Sequence, residues 1–451
     1  MAFCCSTGIS RFRHSEDPDG DARAAPHAGA TRSAPHANRR GEGARSVSDD
    51  EQHPTGSGQL RGLKVVEFAH VVAGPLAGSM LADQGADVVH VEPPGAGDAA
   101  RAMGPRRDGV PLWFKVAGRN KRSVTLDLHR EPGRRVAHRL VAWADVVIVT
   151  LRAGRLRDWG LDWDSVHRLN PRAVLLQISG FGATSSQADA PGFGKVGEAR
   201  SGVVHLTGFP DGPPVHTGFS HGDAVTGLMG AYAVLAALHR RDHDPDFDGE
   251  WIDLALFESL FRLVEWQVIV HDQLGQVPAR SGNRLAVAPG AVINTYRSRD
   301  GEWITVTSAT LRSVRNIARL LGLPEAEFAT ARQQYDRRSR LDEGLRSWVA
   351  QRDSGACLEE FARAEVVASR VFDAADIAAD PVYAEREDIV TVDDPDLGPV
   401  RMQAVLPHFR QRPGRVWRTG PALGQDNHLV YGTWLGLGAD ELAALEKNDV
   451  I

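Results

Sequence analysis

The feature that most constrains this chain is a strict alternation of short apolar strands and amphipathic helices that begins abruptly at Leu60. The run LKVVEF at 63–68 leads into AGPLAGSMLADQGA at 73–86, a helix opened by Gly74-Pro75 because the fixed φ of proline suits a first helical turn. A second strand, ADVVHVE at 86–92, follows at once. Strand, helix and strand joined by short links demand a parallel pair with a right-handed crossover. The unit recurs: EPGRRVAHRLVAWA at 131–144 reads as an amphipathic helix, and DVVIVTL at 145–151 and RAVLLQISGF at 172–181 read as buried strands. The expectation is an α/β fold around a doubly wound parallel sheet.

Texture divides the rest of the chain. Residues 1–57 are rich in Ala, Gly, Arg, His, Pro and Ser without aliphatic periodicity, so they read as a disordered tail that cannot offset its ordering entropy. Residues 58–280 form one large unit, which includes a helix at 223–241 whose small and apolar residues lie on nearly all sides, suiting burial or a helix-helix interface. After Gly282 the strands shorten, and INTYRSRDGEWITVTS at 293–308 reads as a hairpin turned at Asp300-Gly301. A smaller α+β domain over 281–375, with helices at 311–321 and 339–350, is expected. The proline-punctuated segment 376–451 then returns to the large unit.

Several functions are disfavoured on elementary grounds. With 451 residues and a net charge of -6 there is no global basic field for nucleic-acid phosphates. No stretch approaches the roughly 20 apolar residues that span a bilayer. No signal peptide is apparent, so the expected location is the cytoplasm. Cys4, Cys5 and Cys357 cannot make a disulfide framework. Nucleophile-elbow, zinc-helix, Walker and paired-cysteine motifs are missing, and no metal site is expected. The turn Ser179-Gly180-Phe181-Gly182, at the end of a predicted strand, can turn backbone amides towards a ligand at the carboxyl edge of the sheet.

Eight stretches bear on function: LRGLKVVEFAHVVAGPLAG at 60–78, VVHVEPPGAGDAAR at 88–101, NKRSVTLDL at 120–128, ADVVIVTLRAG at 144–154, ISGFG at 178–182, PGFGKVGEARSGVVHLTG at 191–208, DAVTGLMGAYAVLAAL at 223–238 and DPVYAERE at 380–387. In this order they resemble the class III CoA-transferases, the family of formyl-CoA and carnitine CoA-transferases and of α-methylacyl-CoA racemase. The resemblance covers the chain from about residue 60 to its end. It implies a Rossmann-like large domain built from both chain ends, a small inserted domain, and two subunits threaded through each other as interlocked rings, either a homodimer or a heterodimer. It implies acyl-CoA and a carboxylic acid as partners, with coenzyme A as substrate and no permanently bound cofactor. It also implies an aspartate nucleophile that becomes first a mixed anhydride and then an aspartyl-CoA thioester.

Here the sequence departs from the family. Where the family has Pro-Gly-aromatic-Asp, this chain has Pro191-Gly192-Phe193-Gly194, so Gly194 stands in place of the nucleophile. If 194–205 is helical, Glu198 lies one turn on, about 6 Å away on the same face, and is the first substitute. Asp189 is a second, on the preceding loop. Asp223 matches the second aspartate of the racemase branch and is a weaker catalytic candidate, with an alternative role as the cap of the helix it begins. Phe193 replaces the racemase histidine. For CoA, the resemblance points to His70, Val71, Leu126, Gly180 and Gly182. Pro93, Thr150 and Asp158 replace the family's usual polar and basic residues, and Arg152, Arg155 and Arg157 stand nearby as substitute phosphate contacts. The function implied is CoA transfer from an acyl-CoA to a carboxylic acid with an altered nucleophile; the alternatives are a silent CoA-binding subunit of a heteromer and an acyl-CoA racemase or isomerase.

Overall fold

A computed structural model describes residues 58–285 and 287–451; the expected tail, with Cys4 and Cys5, lies outside the described residues. Six strands, β1 (Lys64–Phe68), β2 (Asp87–Glu92), β3 (Arg122–Thr125), β4 (Val146–Val149), β5 (Val174–Ser179) and β6 (Glu250–Ala255), pair in the order β3-β2-β1-β4-β5-β6. Every pairing is parallel. Strands β1 to β5 are buried on both faces, with β6 at the edge more exposed, which is why most of them read as largely apolar runs. Val66, Val89, Val147 and Leu175 face one layer with Val136 and Leu140 of the helix Glu131–Trp143. Val65, Val88, Ile148 and Leu176 face the other, against α1 (Ala73–Asp83) and α2 (His221–His243).

The order reverses between β1 and β4. Connections leave these strands towards opposite faces, and in sheets of this kind the crevice beyond their carboxyl ends is where ligands bind. His70 and Val71 follow β1, and Thr150 follows β4.

The hairpin Val292–Arg297 with Trp303–Ser308 forms as expected, with Gly301 at φ 93 in its turn, and Ala368–Arg370 adds a third antiparallel strand. The helix Ala331–Ala350 starts earlier than periodicity indicates because Thr330 and Gln333 make a capping box. The chain end returns to the sheet edge: the Ser123 amide donates to Asp426 at 2.9 Å, the Thr125 amide to Asn427 at 2.9 Å, and Tyr431 Oη to the Thr125 carbonyl at 2.9 Å. These contacts cover an edge strand that would otherwise present unpaired backbone. Among the described residues no helix is long and apolar enough to cross a membrane.

Candidate active site

At the switch point the β1 loop is held in a conformation its sequence disfavours. Val71 has φ 68, a left-handed geometry that costs a β-branched residue on the order of 1–3 kcal/mol and persists only where surroundings enforce it. Enforcement comes from Asp98, whose carboxylate accepts the Val71 amide at 3.0 Å, while the His70 amide donates to Thr150 Oγ1 at 3.1 Å. Asp98 lies 3.4 Å from His90 Nε2, and His90 Nδ1 lies 2.7 Å from Glu67 Oε1, which also accepts from Lys121 Nζ at 2.6 Å. All four of these side chains are buried. Burial opposes a charge on His90, but the hydrogen bonds to Asp98 and Glu67 outweigh it and push its pKa up to about 9. Burial would likewise raise Asp98, yet its hydrogen bond and Coulombic attraction to His90 take it down to about 2. A buried imidazolium clamped between carboxylates therefore fixes the loop. Sequence reasoning passed over this network, although Glu67, His90 and Glu92 inside otherwise apolar strands were its signal.

His70 and Leu126 share one cleft with Phe68, Pro93, Leu151 and Trp159, across the carboxyl ends of β1 to β4. Burial lowers the pKa of His70, favouring its neutral form. The three arginines do not converge. All are exposed; Arg155 lies over the ring of Trp159 at 5.3 Å, Arg157 reaches towards Gly154 and the Asp189 loop, and Arg152 precedes the short helix Ala153–Trp159.

The PGFG stretch is brought against the ISGFG turn. A Cβ on Gly180 would stand 2.8 Å from Gly192 Cα, and one on Gly192 would stand 2.6 Å from Gly180 Cα, so two glycines allow two backbones to touch. Gly182, at φ 87, donates its amide to Ser179 Oγ at 2.9 Å. Helix α3 (Gly194–Arg200) is shorter than the 194–205 expected, since Gly202 at φ 90 breaks it.

Glu198 is neither solvated nor free. It is 1 % exposed; Oε1 accepts from Lys195 and the Gly222 amide at 3.0 Å, and Oε2 contacts Lys195 at 3.0 Å and His216 Nδ1 at 2.7 Å. Burial opposes its charge, but these hydrogen bonds hold it below the ordinary carboxylate range. Asp223 is different. It does not cap α2, whose cap position is Ser220; it lies within the first turn and half-buried. Among the described residues its carboxylate accepts no hydrogen bond and makes no ion pair. Burial and the negative charge of Glu198 push its pKa up to about 6. Asp189 accepts the Gly154 amide at 3.1 Å.

Residues 60–427 match the family model described as CoA-transferase family III. The chain is 37% identical over 398 residues to succinyl-CoA–D-citramalate CoA-transferase of Chloroflexus aurantiacus, covering 87% of this chain and 98% of that one. It is 34% identical to the beta subunit of succinyl-CoA–L-malate CoA-transferase from the same organism, with the same coverage of 87% and 98%. A crystal structure of a CAIB/BAIF family protein from Brucella suis superposes with a TM-score of 0.73 at 31% identity, covering 84% of this chain and 99% of that chain.

Proposed function

Because this chain belongs to CoA-transferase family III, we propose that it moves CoA from succinyl-CoA to a short 2-hydroxydicarboxylic acid, with the thioester between the His70-Val71 loop and Gly194. CoA-transferase activity on acyl-CoA thioesters follows from the family; the choice of donor and acceptor is the further step. The two relatives share succinyl-CoA as a named substrate, and their acceptors, D-citramalate and L-malate, are both hydroxylated four-carbon diacids in their main chain.

What supports the reading is that α2 touches both segments, packing against α1 just after the His70-Val71 loop and bringing Asp223 against Gly194. In α2 a Cβ on Gly227 would stand 2.7 Å from the Ala73 carbonyl, so this helix crosses α1 closely just after the His70-Val71 loop. Residue 223 lies four residues before that crossing, on the same face and about 6 Å along the axis. Acyl transfer needs such a meeting of a carboxylate, a thioester site and exclusion of water. In this reading Arg155 contacts a CoA phosphate at the rim of the cleft, and Gly180 and Gly182 border the acyl group.

The working form we propose is a pair of chains. The helix Trp266–Leu274 buries none of its residues within the chain, and Leu228, Tyr232 and Leu235 of α2 are exposed, a surface suited to a second copy. Incubation of the purified protein with a panel of acyl-CoA donors and diacids, with mass analysis of both CoA products, tests the function. Transfer from succinyl-CoA is expected. Inactivity with every donor unless a different paralogous chain is added would instead favour the silent-subunit reading.

A further inference from the structure

Glycine at 194 is not there for backbone freedom. The residue opens α3 with ordinary helical geometry and is absent from the positive-φ positions, so the main chain would accept a side chain. What a side chain there would meet is the end of the Asp223 side chain. A Cβ at 194 would lie 2.0 Å from Asp223 Oδ2 and 2.5 Å from its Cγ. The Asp223 carboxylate therefore fills the volume into which a side chain at 194 would project.

Its surroundings are those of a reactive group. Each oxygen of Glu198, one turn along α3, is occupied by two protein donors, whereas Asp223 has none among the described residues. Lys195, the nearest cation acting on Asp223, is committed to Glu198 and to the carbonyls of Thr217 and Phe219 at 3.0 and 2.9 Å. The first turn of a long helix favours an anion there. An unpaired carboxylate beside a glycine turn, one helical turn from the CoA loop crossing, is placed to attack.

We infer that Asp223 is the carboxylate that carries the acyl group and then CoA, reaching the thioester across Gly194. The inference rests on the proposed CoA transfer. Asp223 Oδ bonds to the thioester carbonyl carbon, the C–S bond breaks, and CoA leaves as the thiolate with the electron pair, giving a mixed anhydride. The thiolate then attacks the aspartyl carbonyl and the donor acid leaves as its carboxylate. The acceptor carboxylate displaces the thiolate from the aspartyl thioester, and the thiolate finally attacks the acceptor carbonyl, releasing the new acyl-CoA and the Asp223 carboxylate. No oxidant, reductant or water is consumed. Glu198 acts as a positioning residue: it ties α3 to the start of α2 through the Gly222 amide.

The experiment has two arms. In the first, the unaltered protein is mixed with succinyl-CoA alone, quenched with hydroxylamine and mapped by peptide mass spectrometry; a hydroxamate on Asp223 is expected. In the second, Asp223→Asn is expected to lose on the order of 10³-fold or more in kcat with CoA Kd within about twofold, the pattern of a lost covalent step. Gly194→Asp combined with Asp223→Ala, which returns a carboxylate to the same volume, is expected to recover transfer. A hydroxamate on Glu198 or Asp189, or full activity of Asp223→Asn, overturns the inference while leaving the proposed function standing. No transfer by the unaltered protein from any acyl-CoA, and no adduct on any residue, overturns both. Trapping on the native chain keeps the first arm independent of how the variants fold.

Discussion

Ionising Asp223 destabilises the folded protein. Its pKa of about 6 lies above the unfolded value of about 3.9, so the native state holds the proton more tightly than the unfolded chain. The destabilisation is absent below about pH 4, grows as pH rises towards 6, and is complete above it. Asp223→Asn is therefore expected to be more stable than the native protein at pH 7.5, by up to about 2 kcal/mol, and no more stable at pH 4; thermal melts at the two pH values measure this. The same ionisation sets the acid limb of transfer near pH 6, because only the carboxylate attacks. Glu198 and Lys195 of α3 are the charged groups acting on it. Glu198→Gln removes a neighbouring negative charge and is expected to move the limb to lower pH without eliminating transfer; an unchanged limb would separate the two residues.

At the scale of elements, the loop after β1 depends on the network below it. His90 has its pKa raised to about 9, so its stabilising charge is fully present below the unfolded value near 6.5 and is lost as pH rises through 9. CoA affinity is expected to weaken over that upper range, as the clamp on Asp98 and Val71 loosens. His90→Leu leaves Asp98 buried without its cation and Glu67 with Lys121 as its remaining ion-pair partner, and a loss of about 3 kcal/mol in urea unfolding is expected with a CoA Kd about 10-fold weaker. The two glycine turns predict a different pattern. Gly192→Ala presses a methyl group against backbone that cannot rotate away, displacing the PGFG turn, and kcat is expected to fall on the order of 10²-fold with little change in CoA Kd, since small misplacements are costly in acyl transfer.

For the whole molecule, the paired state can be checked by light scattering, with twice the mass of the chain expected. Tyr232, 71 % exposed on α2, and Ile269, 61 % exposed on the helix Trp266–Leu274, are the positions to charge. Tyr232→Asp with Ile269→Asp is expected to give monomers that have lost transfer; a native monomer with full activity would remove the second copy from the reading. The architecture beneath this was legible early, because strands buried on both faces are dominated by apolar residues, and such runs alternating with amphipathic helices are the pattern of a parallel sheet. The motif series carried the family, and the letters at 191–194 raised the expectation that Gly194 stands in the place of the nucleophile. Helix spacing drew attention to Glu198, because spacing measures proximity along one element and is blind to what other elements bring to it. Lys195 is three residues from Glu198 on α3 itself, but His216 and the Gly222 amide reach Glu198 from 18 and 24 residues along the chain, and the carboxylate of Asp223 beside Gly194 comes from the helix α2. Only the crossing of α2 over α1 and α3 decides that one carboxylate is buried in hydrogen bonds and the other is left unpaired.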